Sequence, residues 1–188
     1  MVAEIYARTA QLLPYFTCGR VVHGFGRGGK QLGCPTANLD TATVSRLPEL
    51  FECGVYYGWA SVIGRTAQPL PMVMSIGWNP QFKNTLKTME VHIMQYTGPD
   101  FYDASLKIAV LGFIREMAAF SSLDELIEAI ENDKRIAMER LREPKFAAIR
   151  KHDYFKNAVV VVDETQHSLN GTVSNNLDSQ SPSISGKL

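Results

Sequence analysis

The chain has 188 residues, 45% of them hydrophobic, enough to bury a real core within the usual length of one domain. Nineteen basic and nineteen acidic residues cancel, so the global positive field of a nucleic-acid binder is missing, while a small anionic ligand held by local groups stays possible. The three cysteines, Cys18, Cys34 and Cys53, are odd in number and widely spaced, which argues against a disulfide framework or a structural zinc site.

At the N-terminus, Glu4, Arg8 and Gln11 interrupt any apolar leader, and no later run approaches the ~18 apolar residues that span a bilayer. A soluble, intracellular protein is expected. Strand-like runs then follow, broken by Gly and Pro: Gly19 to His23, Val55 to Ile63, Met72 to Ile76, Thr88 to Tyr96 and Ser105 to Ile114. With no helical pattern between them, they predict an antiparallel barrel or sandwich rather than alternating βαβ units. Val55, Tyr57 and Trp59 alternate with Tyr56, Gly58 and Ala60, so both faces carry bulk, which favours a curled or closed sheet.

Between the first two runs lies the densest signal, Gly24-Phe25-Gly26-Arg27-Gly28-Gly29-Lys30-Gln31-Leu32-Gly33-Cys34-Pro35-Thr36-Ala37-Asn38. Gly24, Gly26 and Gly29 match a dinucleotide fingerprint, and Gly24, Gly29 and Lys30 match a Walker A loop up to Gln31, which replaces its hydroxyl residue. Both motifs need a helix at the loop, and Gly33 and Pro35 follow too closely for one. What survives is their physics: glycine amides approach phosphate oxygens and Lys30 neutralises charge, a reading that weighs equally with a ligand-free glycine-rich hairpin. Thr36 and Asn38, two apart, leave the same face of an extended segment and offer neutral oxygens to magnesium, although such a pair more often caps a turn.

In Thr88-Met89-Glu90-Val91-His92-Ile93-Met94, the strand period sets Met89, Val91 and Ile93 against Thr88, Glu90, His92 and Met94. Glu90 is the candidate general base if that second face lines a cleft; patterning alone favours an exposed glutamate, and His92 reads as a hydrogen-bonded structural residue. The period then changes: Leu123, Leu126, Ile127, Ile130, Ala137 and Leu141 form the stripe of an amphipathic helix, with a capping box from Ser122 and Glu125, ended by Pro144. From Asp163 to Lys187 the composition is polar, so residues 1–162 are expected to form the domain and 163–188 a tail. Its last three residues, Gly186-Lys187-Leu188, approach a peroxisomal signal; cytoplasm is the default expectation.

Taken together, these segments resemble the riboflavin kinase family, from Pro14-Tyr15-Phe16 to about Leu141. The marks are the glycine-rich stretch with Lys30-Gln31-Leu32-Gly33, Pro35-Thr36-Ala37-Asn38, Gly54-Val55-Tyr56-Tyr57-Gly58-Trp59-Ala60, Ser75-Ile76-Gly77-Trp78-Asn79-Pro80, Lys83-Asn84-Thr85, Met89-Glu90 and Asp100-Phe101-Tyr102. The resemblance implies a six-stranded antiparallel Greek-key barrel with a C-terminal helix packed on it, and transfer of the ATP γ-phosphate to the ribityl 5'-hydroxyl of riboflavin, giving FMN. It implies that Gly24 and Lys30 contact the nucleotide phosphates, that Thr36 and Asn38 hold Mg2+, with Thr36 also beside the nucleotide, and that Glu90 is the base. By the same resemblance Ile93, Gln95 and Tyr102 bound the nucleotide, and Arg115 opens the riboflavin side. After that arginine, family members commonly continue with proline and charged residues, whereas this chain reads Glu116-Met117-Ala118-Ala119.

A monomer is expected, with no nucleic-acid or membrane partner. Two rivals are a catalytically silent flavin-binding barrel and a kinase of another small alcohol. The first is disfavoured, because binding alone needs neither a metal pair nor a base.

Overall fold

The computed structural model describes residues 8–24, 33–78 and 87–156. Among the described residues these elements follow one another: β1 (Tyr15–Val22), β2 (Ala37–Leu39), α1 (Thr41–Ser45), β3 (Gly54–Val62), β4 (Leu70–Trp78), β5 (Lys87–Ile93), β6 (Ser105–Glu116), α2 (Leu123–Arg140), α3 (Pro144–Ile149) and α4 (Asp153–Lys156). Hydrogen bonding closes the strands into a barrel in the order β1-β2-β5-β4-β3-β6, every neighbouring pair antiparallel. Closure leaves no sheet edge open.

Period-two alternation supplies the interior. Val21, Leu39, Tyr56, Ala60, Val62, Met72, Met74, Ile76, Met89, Val91, Leu106 and Ile108 all bury their side chains in one inner cluster. The Tyr56 hydroxyl is held within it by donating to the Glu52 carbonyl at 2.6 Å. On the opposite side of the same strands, Val55, Tyr57, Trp59, Val73, Ala109 and Leu111 form a second cluster with Ala137 of α2 and Leu141, which caps its C-terminus. Every residue of β3 is therefore buried. The bulk read on both faces of that strand has two separate causes, the barrel interior and the helical cover outside.

The cover is wider than the single helix expected. The Trp59 indole donates to the Phe146 carbonyl at 2.9 Å, and Arg150 donates to Pro69 at 2.9 Å while lying over the Trp59 ring. Buried Lys107 donates to the Tyr154 carbonyl at 2.7 Å, which fastens α4 to the outside of β6. Pro144 begins α3 instead of ending α2, which stops at Arg140; a proline lacks only an amide that the first turn leaves unpaired.

The capping box forms with a shift: Ser122 accepts from the Glu125 amide, but Glu125 reaches back to the Ser121 amide at 3.0 Å. The stripe is buried only in its C-terminal half, since Leu123 is 58% exposed and Ile127 36%. Among the strands, β2 is three residues long and has no apolar run to announce it, and β1 begins four residues before the expected Gly19.

The tightest point of the sheet is Gly58, where a Cβ would collide with the backbone carbonyl of Ala109 on β6. Gly58→Ala is expected to lower unfolding free energy by about 3 kcal/mol or more, since two paired backbones must separate. Gly77→Ala, whose Cβ would meet only the end of the Met117 side chain at 3.6 Å, is expected to change it by less than about 1 kcal/mol. Urea unfolding of the two variants checks the contrast.

Candidate functional site

The barrel register sets a row of residues side by side on its outer face. Val22 pairs with Asn38, Asn38 with Glu90, Glu90 with Ser75, Ser75 with Val55 and Val55 with Arg115. Their chain neighbours Ala37, Met89, Val91, Met74 and Ile76 point into the interior, so the row points outward. Asn38 and Glu90 are thus direct cross-strand neighbours, one strand spacing of about 5 Å apart. Arg115 lies three strands from Glu90, about 14 Å along the row at that spacing.

Three contacts hold the short strand that carries Asn38. At Gly24, just beyond β1, a Cβ would collide with the Asn38 side-chain amide, so that glycine lets the amide lie against backbone. Asp40 donates its amide to Arg20 at 3.0 Å, and its carboxylate accepts from the Thr43 amide at 2.9 Å, capping α1. On the other side, buried His92 donates through Nδ1–H to the Pro35 carbonyl at 2.9 Å, pinning the segment that leads through Thr36. Thr36 itself is exposed, and Glu90 is partly buried.

Burial pushes the His92 pKa below its ordinary value, opposed by the Pro35 bond and reinforced by Lys134. Burial likewise raises the Cys34 thiol, with Lys134, Glu131 and Asp133 of α2 as the charges that reach it. The expected structural role of His92 is what the geometry gives it.

The residues expected on the nucleotide side separate into two places. Tyr102 stacks on His23, ring centroids 3.7 Å apart, beside Gly24, and the next amide, Asp103, donates to Val21 at 2.8 Å. Ile93 closes β5 inside the barrel, and Gln95 turns the chain there at φ 64°, in the left-handed region, beside a cavity of about 440 Å³ that it shares with Arg65, Thr66, Tyr96 and Thr97. The edge-to-face pair of Tyr96 and Phe101 links the two. A larger groove of about 680 Å³ lies between β6 and helices α2 and α3 and contains none of the expected site residues. Lys30 and the rest of its loop, like the tail 163–188 with its terminal tripeptide, lie outside the described residues.

Arg115 is held as the sequence did not indicate. Asp133 of α2, 3% exposed, accepts from its Nε at 2.9 and 3.2 Å and from its Nη2 at 2.7 Å, and the guanidinium lies 5.6 Å from the Phe120 ring centre. A signal that Asp133 needs some partner was present, though not which one. Asp133 falls on the apolar stripe of α2, three residues after Ile130 and four before Ala137, and a carboxylate on a buried stripe needs a partner. No comparable sign marked His23 or Phe120. Among the described residues no trio of His, Cys, Asp and Glu side chains is grouped to hold a metal, and no helix is long and apolar enough to cross a membrane.

The family model for riboflavin kinase matches residues 12–141. A riboflavin kinase of Homo sapiens is 48% identical over 144 residues, which are 77% of this chain and 92% of the relative. The riboflavin kinase of Mus musculus is 44% identical with the same coverage. The crystal structure of riboflavin kinase from Trypanosoma brucei superposes with a TM-score of 0.63 at 32% identity, covering 78% of this chain and 92% of that one.

The lowered pKa of His92 sets a direction for stability. The unfolded chain binds this proton more readily than the folded one, so the contribution of neutral His92 is complete above the ordinary histidine pKa of about 6.5 and is lost as pH falls below it. Urea unfolding at about pH 7.5 and about pH 5.5 is expected to show a larger loss for the wild type than for His92→Gln, which cannot titrate. Equal losses would remove His92 from the acid sensitivity of the fold.

Proposed function

The chain belongs to the riboflavin kinase family, and on that premise we propose that the outward row from Asn38 to Arg115 is where phosphoryl transfer to riboflavin takes place. The enzyme is a kinase that moves the γ-phosphate of ATP to the ribityl 5'-hydroxyl, giving FMN and ADP. The observation that carries the assignment of roles is the pairing of Asn38 with Glu90 across β2 and β5. It puts a neutral oxygen donor beside a carboxylate, the two groups that a metal-bound phosphate and an attacking hydroxyl require at close quarters.

In this reading the Glu90 carboxylate accepts the proton of the ribityl hydroxyl as its oxygen attacks the γ-phosphorus, and Ser75 on the neighbouring strand keeps the surroundings of that carboxylate polar. Thr36 and Asn38 would hold magnesium. The fit is chemical: a hydroxyl and an amide oxygen, with no acidic cluster among the described residues, suit an ion that keeps waters and draws its remaining ligands from phosphate. When bound, magnesium supplies charge neutralisation to the terminal phosphates. Backbone at Gly24 would face the same phosphates and Lys30 would supply the charge that neutralises them, while Ile93, Gln95 and Tyr102 border the nucleotide. Arg115, three strands away, meets the riboflavin end, so an elongated acceptor bridges the row with its hydroxyl at Glu90. Every group comes from one chain, and we place the enzyme as a cytoplasmic monomer.

Glu90→Gln keeps the volume and removes the proton acceptor. Turnover is expected to fall ~100- to 10,000-fold with ligand affinities nearly unchanged. A fall of less than about tenfold at saturating ATP and magnesium would mean that Glu90 orients the hydroxyl without taking its proton. Glu125→Gln, at the α2 cap, is the control and is expected to cost ~1 kcal/mol of stability with activity intact.

Thr36→Ala and Asn38→Ala are expected to weaken ATP binding in the presence of magnesium about tenfold, and riboflavin binding far less. Calorimetric titrations with and without magnesium check this. If variants and wild type gain equally from the metal, the ligand roles are wrong.

A further inference from the structure

Helix α2 buries two of its residues fully, Ala137 and Asp133. Ala137 packs in the outer apolar cluster with Leu141, and Ile136 and Met138 flank it, so the docking of the helix is already accounted for by apolar contact. Asp133 adds nothing to that contact. Its carboxylate meets a single guanidinium, taking Nε and Nη2 of Arg115 in a fork at 2.7 to 3.2 Å. The opposite nitrogen, Nη1, donates to the Glu116 carbonyl at 3.1 Å, and the face of the group lies toward Phe120.

A guanidinium carries five N–H groups in a rigid plane. The bonds to Asp133 and Glu116 fix that plane along two edges, and among the described residues one N–H of each Nη remains for a ligand. The long side chain is thereby ordered before any ligand arrives.

We propose that Asp133 is a positioning residue for riboflavin: it holds Arg115 in the orientation that receives the acceptor, and acts on riboflavin only through that arginine. The inference rests on the reading of Arg115 as the riboflavin-side residue. Its physical basis is preorganisation, because an arginine fixed beforehand does not lose its rotamer freedom when substrate binds. The Asn38–Glu90 pair lies three strands away from this arrangement, so the effect is expected to fall on riboflavin and to leave ATP little changed.

The experiment is a double-variant cycle on the full chain, with initial rates of FMN formation at varied riboflavin and varied ATP. Arg115→Ala is expected to raise the KM for riboflavin about tenfold or more, and Asp133→Asn by about five- to twentyfold, with the KM for ATP within about twofold. The combination of both substitutions is expected to match Arg115→Ala alone within about twofold, since Asp133 has nothing left to position. An unchanged riboflavin KM in Arg115→Ala overturns the reading of Arg115 and the inference with it. A clear effect in Arg115→Ala with additive effects in the combination, or with both KM values moving together in Asp133→Asn, overturns the inference alone and leaves Asp133 as a helix anchor.

If Asp133→Asn does not fold, Asp133→Glu keeps the charge but displaces the carboxylate by one methylene. A few-fold rise in riboflavin KM with an unchanged ATP KM then supports the inference, and an unchanged riboflavin KM overturns it.

Discussion

A strand of three residues decides whether this barrel is closed. Without β2, the edges of β1 and β5 would face solvent with unpaired amides and carbonyls, and the sheet would be open between its first strand and its fifth. The segment is too short to be held by its own ladder, so its neighbours hold it: the Asp40 amide on Arg20, His92 on Pro35, and Asn38 laid over the bare backbone of Gly24. The same restraint sets the chemistry. Once Ala37 and Leu39 are committed to the interior, Asn38 must face out, and pairing with β5 leaves it opposite Glu90.

The rest of the molecule shields what that row does not use. Inside, the alternating side chains of six strands fill the barrel; outside, α2 and α3 seal the β3 and β6 walls with Trp59, Tyr57 and Leu111. Burying each such side chain contributes roughly 1.5–3 kcal/mol, far more than the surface ion pairs along α2. A rigid support with packing on both sides suits phosphoryl transfer, where the protein must chiefly hold oxygens in line.

Most of the strands could be read from period-two patterning, because each is long enough for the alternation to repeat. The closed sheet followed from Tyr56 and Tyr57, bulky residues on opposite faces, and the alternation of β5 set Glu90 on its second face, while the expectation that Glu90 is the base came from the family resemblance. β2 escaped as a strand because three residues carry no period, although Thr36 just before it and Asn38 within it were singled out for their oxygens. The short helices escaped for a related reason: α3 and α4 are fixed by long-range bonds from Trp59 and Lys107, partners that local sequence cannot supply. Arg115 was named without its partner, since the pairing with Asp133 joins residues on a strand and a helix, and only the fold sets them face to face.

The closing seam has a consequence for how the chain is made. β1 pairs with β6, joining Tyr15 to Val110 and Arg20 to Ser105, and β2 pairs with β5 across about fifty residues. As the chain leaves a ribosome from its N-terminus, the first two strands emerge without the neighbours that complete them, and they wait until the last strand is translated. No shorter product retains a working half, because the outward row from Val22 to Arg115 draws one residue from each of the six strands and exists only when the circle is complete. Synthesis, closure and the capacity to handle substrate thus arrive in a single late step.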